Sequence, residues 1–209
     1  HKNEDWKNIP GLGYKEDEKI VINPREIPEN LDDIPFPAWH LFNLKDYNRD
    51  IRRIQLPIMT ARGCPHKCIF CTIPSIFVKY RYRSPKNVAD EFEYVNKRFG
   101  SSNFQSMDDN IGLFKDRVIQ ICDEILKRNL KIRWIVGQGL TANSVNREMM
   151  VKMKEAGCTM VSIGIESVHD DVLANIKKPS RIATIESAIK ICKEAGIKVK
   201  GFFIIGLPG

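Results

Sequence analysis

The stretch ARGCPHKCIFC holds Cys64, Cys68 and Cys71, with three residues between the first two and two between the last two. Thiolates ligate soft metals. A closed structural zinc site wants four ligands, commonly from two Cys-x-x-Cys or Cys/His pairs, and the chain has a single Cys-x-x-Cys. His66 could complete a set, but wedged between Cys64 and Cys68 in a tight loop it has poor reach. Iron–sulfur cubanes usually take four cysteines. Three leave one iron open, and an open iron can accept the amino and carboxylate groups of a small molecule. Spacing alone leaves two readings, a cubane with a vacant corner and a zinc-stabilised loop.

The elements around the cysteines must hold them. "LPIMTAR" reads as a short apolar strand running into the cysteine loop. Ser84 caps a helix with Pro85 at its first position. Val88, Phe92, Val95 and Phe99 form its buried stripe, and Gly100 ends it. "NFQSMDD" is the next strand candidate, and Val118, Ile121, Cys122, Ile125 and Leu126 make a second helical stripe. "KIRWIVGQG" is strand-like, followed by a helix to Ala156. "CTMVSIGIE" is a strand, a helix covers roughly Ile182 to Ala195, and "KVKGFFIIG" is a fifth strand. The segments KEAGCTMV and KEAGIKVK repeat one device, a helix end, a left-handed glycine and a strand start. Cys122, Cys158 and Cys192 fall on apolar stripes and read as small core residues. Alternating strands and helices argue an α/β fold with a parallel sheet, open or part of a barrel, with function at the strands' C-terminal ends.

Residues 1–50 differ. They carry Pro10, Pro24, Pro28, Pro35 and Pro37 and read as a linker with one hairpin, with "IPFPAWHLF" docking its aromatic groups onto a neighbouring domain. The remainder, 51–209, is one domain. Across 209 residues, 33 basic against 26 acidic groups give a net charge of +7. This permits an acidic partner. The basic residues are scattered, however, so solvated charged faces are the plainer reading, and nucleic acid is not the expected partner. No apolar run approaches the roughly 18 residues of a membrane-spanning helix. Six cysteines, three of them clustered, suit a reducing cytoplasm better than a disulfide scaffold. The sequence opens without Met and stops at Gly209 inside a glycine motif, so a longer protein is expected.

The spacing Cys-x-x-x-Cys-x-x-Cys after a strand, with aromatic Phe70 before the last cysteine, resembles the signature of the radical S-adenosylmethionine enzymes. IPFPAW, TARGCPHKCIFC, YRSPKNVADEF, MDDN, AGCTMVSIGIES and IIGLPG follow the order found in the cobalamin-binding branch of that superfamily, which includes radical methyltransferases and the anaerobic ring cyclase of chlorophyll synthesis. The resemblance implies a partial (β/α)6 barrel, truncated at its C-terminal end after five strands. It also implies an upstream cobalamin-binding domain outside this sequence, and an enzyme using a [4Fe-4S] cluster, S-adenosylmethionine and cobalamin. The reduced cluster would give one electron to the sulfonium, and the resulting 5′-deoxyadenosyl radical would take hydrogen from an unactivated carbon, for methyl transfer or ring closure. The substrate would be a small or lipid-like molecule, and the electron donor a flavodoxin or ferredoxin.

Residue by residue, the resemblance implies that Cys64, Cys68 and Cys71 hold three irons and that Phe70 packs near the adenine. Asp108 and Asp109 end the second strand and face opposite sides. Asp108 shares a side with Ser106, Asp109 with Met107, and Asp108 is the expected contact of the methionyl amino group or a cluster-bound water, against a cap or turn role. Glu166 is expected on the ribose hydroxyls, with slim Gly164 aiding close approach, against capping of the next helix. Gln138 is a further polar candidate. Ile204 and Gly206 match the family's Gly-x-Ile-x-Gly-x-x-Gly motif, while Phe202 stands where its first Gly would be. The arginines of KYRYRS could touch phosphate or the cobalamin tail, but such a run is more often a solvated loop. A methylthiotransferase acting on transfer RNA is a second reading, permitted by the charge and by CTIP after the last cysteine, though IPFPAW favours the cobalamin branch. A zinc-stabilised, non-enzymatic binding module is the third.

Overall fold

Runs of apolar residues with β-branched character become strands wherever a capped helix can cover them, and the chain does this repeatedly. In the computed structural model, which describes residues 6–47, 50, 54–77 and 79–209, the order is β1 (Gly13–Glu16), β2 (Lys19–Ile22), β3 (Leu56–Ile58), β4 (Ala61–Arg62), α1 (Ile73–Ile76), β5 (Arg81–Tyr82), α2 (Pro85–Phe99), β6 (Asn103–Ser106), α3 (Lys115–Lys127), β7 (Arg133–Leu140), α4 (Arg147–Glu155), β8 (Cys158–Glu166), α5 (Asp170–Asn175), α6 (Ile182–Glu194) and β9 (Lys198–Phe203). Five strands form one parallel sheet in the order β3-β6-β7-β8-β9. Each strand lies beside its predecessor, with no reversal of direction across the sheet. That is the arc of a (β/α) barrel, not a doubly wound sheet with a switch point.

Local chemistry explains the helices. Ser84 Oγ accepts from Asn87 N at 3.1 Å, Pro85 takes the first position, and Gly100 closes α2 at φ 70°. Val88, Phe92 and Val95 are buried, and Phe92 meets Phe104 of β6 edge to face at 4.8 Å. In α3, Val118, Ile121, Cys122 and Ile125 are buried as the stripe requires, but Leu126 lies outside it and is exposed. α4 contributes Met149, Met150 and Met153 to the core. Burial pushes the Cys158 thiol up to about 12 and the Cys192 thiol up to about 11, so both are held as apolar fillers. Helix α5 had no sequence signal strong enough to separate it from the loop. Among the described residues, no helix is long and apolar enough to cross a membrane.

Two expectations change. "LPIMTAR" is not one strand. It breaks after Ile58, and Ala61–Arg62 leaves the sheet to pair antiparallel with β5. The cause is a side chain: Asp108 takes the backbone N–H groups of Thr60 and Ala61, so Thr60 N cannot continue the ladder. The N-terminal segment forms its hairpin, β1 with β2, turning through Asp17 and Glu18 at positive φ. The aromatic groups after it dock on this domain, not a neighbour. Phe36 packs on Tyr94 and Arg83, and Trp39 packs against the core. Arg81 donates to Pro28 O at 2.5 Å and Ser84 N to Asp32 Oδ1 at 2.8 Å. The start of the second region at residue 51 lies outside the described residues.

Alternation sorts each strand's side chains between a helix-covered face and a concave face. On and after β6, Phe104, Ser106, Asp108 and Asn110 are buried, while Gln105, Met107 and Asp109 are half-buried on the concave side. Barrel curvature makes the helix side the drier one.

The repeated KEAG turns are structurally alike, with Gly157 at φ 89° and Gly196 at φ 74°. Their surroundings differ. A Cβ on Gly157 would meet Ile132 O at 2.1 Å, and one on Gly196 only the Lys154 side chain at 3.5 Å. Gly196→Ala should cost about 1–2 kcal/mol, the left-handed penalty alone. Gly157→Ala should cost clearly more. Urea unfolding of the full-length protein measures both.

Candidate functional site

Beyond the C-terminal ends of the strands lies a cleft of about 270 Å³. Cys64, Cys68, Phe70 and Cys71 form one wall, Asp109 and Gln138 the floor, and Glu166, Lys178 and Phe202 the far side. The loop that presents the cysteines is fixed by backbone bonds. Cys71 N donates to Cys68 O at 3.0 Å, and Ile69 N to Ile176 O at 3.1 Å at the end of α5. Its base is held by two carboxylates. Asp108 Oδ1 accepts from Thr60 N at 2.5 Å and Ala61 N at 3.0 Å, its Oδ2 accepts from the Thr60 hydroxyl, and Asp109 Oδ2 accepts from Gly63 N at 2.8 Å. Gly63 is required there, since φ is 91° and a Cβ would meet Lys79 O at 2.9 Å.

The three thiols are free and half-buried. Desolvation pushes Cys64 and Cys68 up, and negative charge on Cys71 adds to both, with Cys64 adding further at Cys68. Three thiolates in one cleft repel each other, and a cationic iron centre relieves that repulsion. The donor set therefore fits a thiolate-ligated cluster. Among the described residues, no three His, Cys, Asp or Glu side chains converge on a single-ion site. Burial and the Lys178 ammonium both push His66 down.

Glu166 ends β8 at φ 65°, a left-handed conformation that costs a non-glycine residue about 1–2 kcal/mol. It falls where the β8–β9 register shifts, and its carbonyl takes Ile204 N at 3.0 Å. The twist turns its carboxylate onto Lys178 Nζ at 2.8 Å, with both side chains under a tenth exposed. Gly164 makes room for that pair, because a Cβ there would sit 2.4 Å from Glu166 Oε1 and 2.7 Å from Lys178 Nζ.

Phe70, Gln138 and Glu166 thus lie with the three cysteines in one cleft, and the other expected residues lie elsewhere. Asp108 does not face it. Its carboxyl is wholly buried on the helix side, spent on Thr60 and Ala61, and Asp109 is the carboxylate in the cleft. The strand parity is as read from the sequence, but the concave face is the odd-numbered one. Ile204 and Gly206 do not line the cleft either. Ile204 contributes a backbone N–H, Gly206 sits at φ 85° with nothing within 4 Å of a Cβ, and neighbouring Ile205 is 99% exposed. Phe202 lines the cleft instead. Arg81 and Arg83 of KYRYRS are not solvated; both are buried, Arg83 against Glu91 and Met59 O. Lys178 carries no sequence signal, because KKPS belongs to no period or motif.

The sequence pattern of the Radical SAM superfamily matches residues 58–209. An uncharacterised methyltransferase of Pyrococcus horikoshii is 34% identical over 209 residues, covering 99% of this chain and 45% of its own length. The anaerobic magnesium-protoporphyrin IX monomethyl ester cyclase of Rubrivivax gelatinosus is 31% identical, over 97% of this chain and 37% of its own. A solved structure of the cobalamin-dependent S-adenosylmethionine radical enzyme OxsB superposes with a TM-score of 0.83 at 22% identity, over 97% of this chain and 30% of that one. The chain spans less than half the length of each.

Asp108→Ala strands three donors and should destabilise by about 3 kcal/mol or more, while Asp109→Ala loses one bond and should cost about 1 kcal/mol; thermal unfolding compares them. The Cys68 thiol of the cluster-free protein lies above the ordinary cysteine range, so fewer thiolates are present at pH 8 and alkylation by iodoacetamide should be slower than for free cysteine. Lys178→Met removes a charge that lowers it. The alkylation profile of Cys68, read by mass spectrometry, should then move to still higher pH.

Proposed function

The chain belongs to the Radical SAM superfamily, and on that premise we propose that Cys64, Cys68 and Cys71 hold three irons of a [4Fe-4S] cluster, leaving the fourth for S-adenosylmethionine. What carries the reading is the meeting of three thiols with Phe70, Asp109, Gln138 and Glu166 in one cleft at the strands' C-terminal ends. When bound and reduced, the cluster supplies one-electron cleavage of the sulfonium. The chain's own residues bind and orient. Asp109, rather than Asp108, accepts from the methionyl ammonium. Glu166 accepts from the ribose hydroxyls, and Lys178, donating to it at 2.8 Å, orients that carboxylate. Phe70 and Phe202 give apolar contact to the adenine and keep water out. Gln138 offers an amide to cofactor or substrate.

The relatives' names extend the reading to methyl transfer to, or ring closure at, an unactivated carbon. Cobalamin would be held by a domain preceding residues 1–50, which join it to the core of residues 51–209. A small or lipid-like substrate, a flavodoxin- or ferredoxin-type electron donor and a reducing cytoplasm complete it.

Anaerobic reconstitution of the full-length protein should give about four irons and four sulfides per chain, a cobalamin absorption spectrum, and 5′-deoxyadenosine or S-adenosylhomocysteine under strong reductant. Cys64→Ala, Cys68→Ala and Cys71→Ala should each abolish product. Zinc in place of iron, or neither product from an iron-loaded protein, sinks the reading.

A further inference from the structure

A second cleft, also of about 270 Å³, lies between the β3–β6 end of the sheet and the segment Leu31–Trp39. Its walls are mostly apolar: Phe36 and Trp39 on one side, Pro57, Met59 and Met107 on the other. Of the charged groups on its wall, Arg83 and Glu91 form an ion pair with each other. Arg62 of β4 differs. It is half-buried, and among the described residues its guanidinium has no acceptor. The Trp39 indole N–H is buried in the same wall without a partner. A guanidinium without an acceptor in an apolar cleft calls for a ligand that brings an anion on an apolar body. The planar fork of Arg62 suits the paired oxygens of a carboxylate or phosphate.

The second cleft adjoins the first. Met107 walls it, and the Met107 sulfur lies 3.8 Å from Nε2 of Gln138, which lines the cysteine cleft. Met107 on the wall of one cleft thus touches Gln138 on the wall of the other. Resting on the function proposed above, we propose that this cleft is the anchoring subsite of the substrate, an apolar molecule with one carboxylate or phosphate. The anion pairs with Arg62, the body lies along Met59 and Met107, and the reacting carbon points past Met107 toward the cysteines. Arg62 then decides which substrates are accepted.

Calorimetry with the full-length, iron-loaded protein tests this without turnover, so binding here is judged apart from the cluster chemistry. Decanoate or decyl phosphate should bind with one site per chain and decanol at least tenfold more weakly; the tighter of the two anions identifies the headgroup. Arg62→Gln should weaken the anions at least fivefold and leave decanol unchanged, Arg62→Lys should fall between, and Met59→Trp should abolish binding of all three. Iron content and circular dichroism equal to wild type certify that each variant is folded. Absence of binding by both anions, equal affinity for decanol, or indifference to Arg62→Gln overturns the proposal. So does a cleft already filled by another segment of the full-length chain, seen as binding that no variant alters.

Discussion

A buried carboxylate decides where the first strand of the sheet ends. Asp108 is fully enclosed, and desolvation pushes its carboxyl up, while hydrogen bonds from Thr60 and Ala61 pull the other way. Of those bonds, the one to Thr60 N takes the donor that would otherwise prolong the β3–β6 ladder. The chain is forced off the sheet at Thr60, forms the two-residue pairing with β5, and enters the cysteine loop at a fixed place and angle. Arg117 reinforces the corner by donating to Thr60 O and Arg83 O. The position of the three thiols therefore depends in part on a contact made outside their cleft.

The opposite wall depends on a comparable compromise. Glu166 occupies a backbone conformation natural to glycine, and Gly164, two residues earlier, gives up its side chain so that Glu166 and Lys178 can meet. Burying an ion pair is worthwhile only when the geometry is good and little else competes. Here the strained turn, the vacant Cβ position and the loop carrying Lys178 supply that geometry together. A positive charge is thereby held near Cys68 and His66, where it bears on both titrations. Strain at the end of a barrel strand is common where function sits.

What could be read from the sequence was what neighbours along the chain decide. Ser84, Pro85 and Gly100 bracket α2 by local hydrogen bonding, and the two KEAG turns announce themselves by repetition. β8 coincides with CTMVSIGIE because eight apolar or small residues, closed by Glu166, sit between a glycine and a turn. The cysteine spacing and Glu166 were legible for the same reason. Contacts decided across the fold were not. Alternation gave Asp108 and Asp109 opposite faces without saying which face is concave, and that depends on the curvature of the whole sheet. Lys178 reaches Glu166 from a loop with no periodicity. The β4–β5 pairing needs residues far apart in sequence, and Pro28 and Phe36 fold back onto Arg81 and Arg83 from a distant segment.

The strand order has a bearing on how the chain acquires its shape. Because β3, β6, β7, β8 and β9 lie side by side in the order they are translated, each strand after the first pairs with one made before it. A parallel sheet is ordinarily a slow topology, since its pairings close long loops. Here no strand must wait for a later one to be inserted between itself and its neighbour, so assembly can proceed by accretion during synthesis. The Pro-rich segment that lies over Arg81 and Ser84 is made before the sheet, and it closes only once β5 and the start of α2 have emerged.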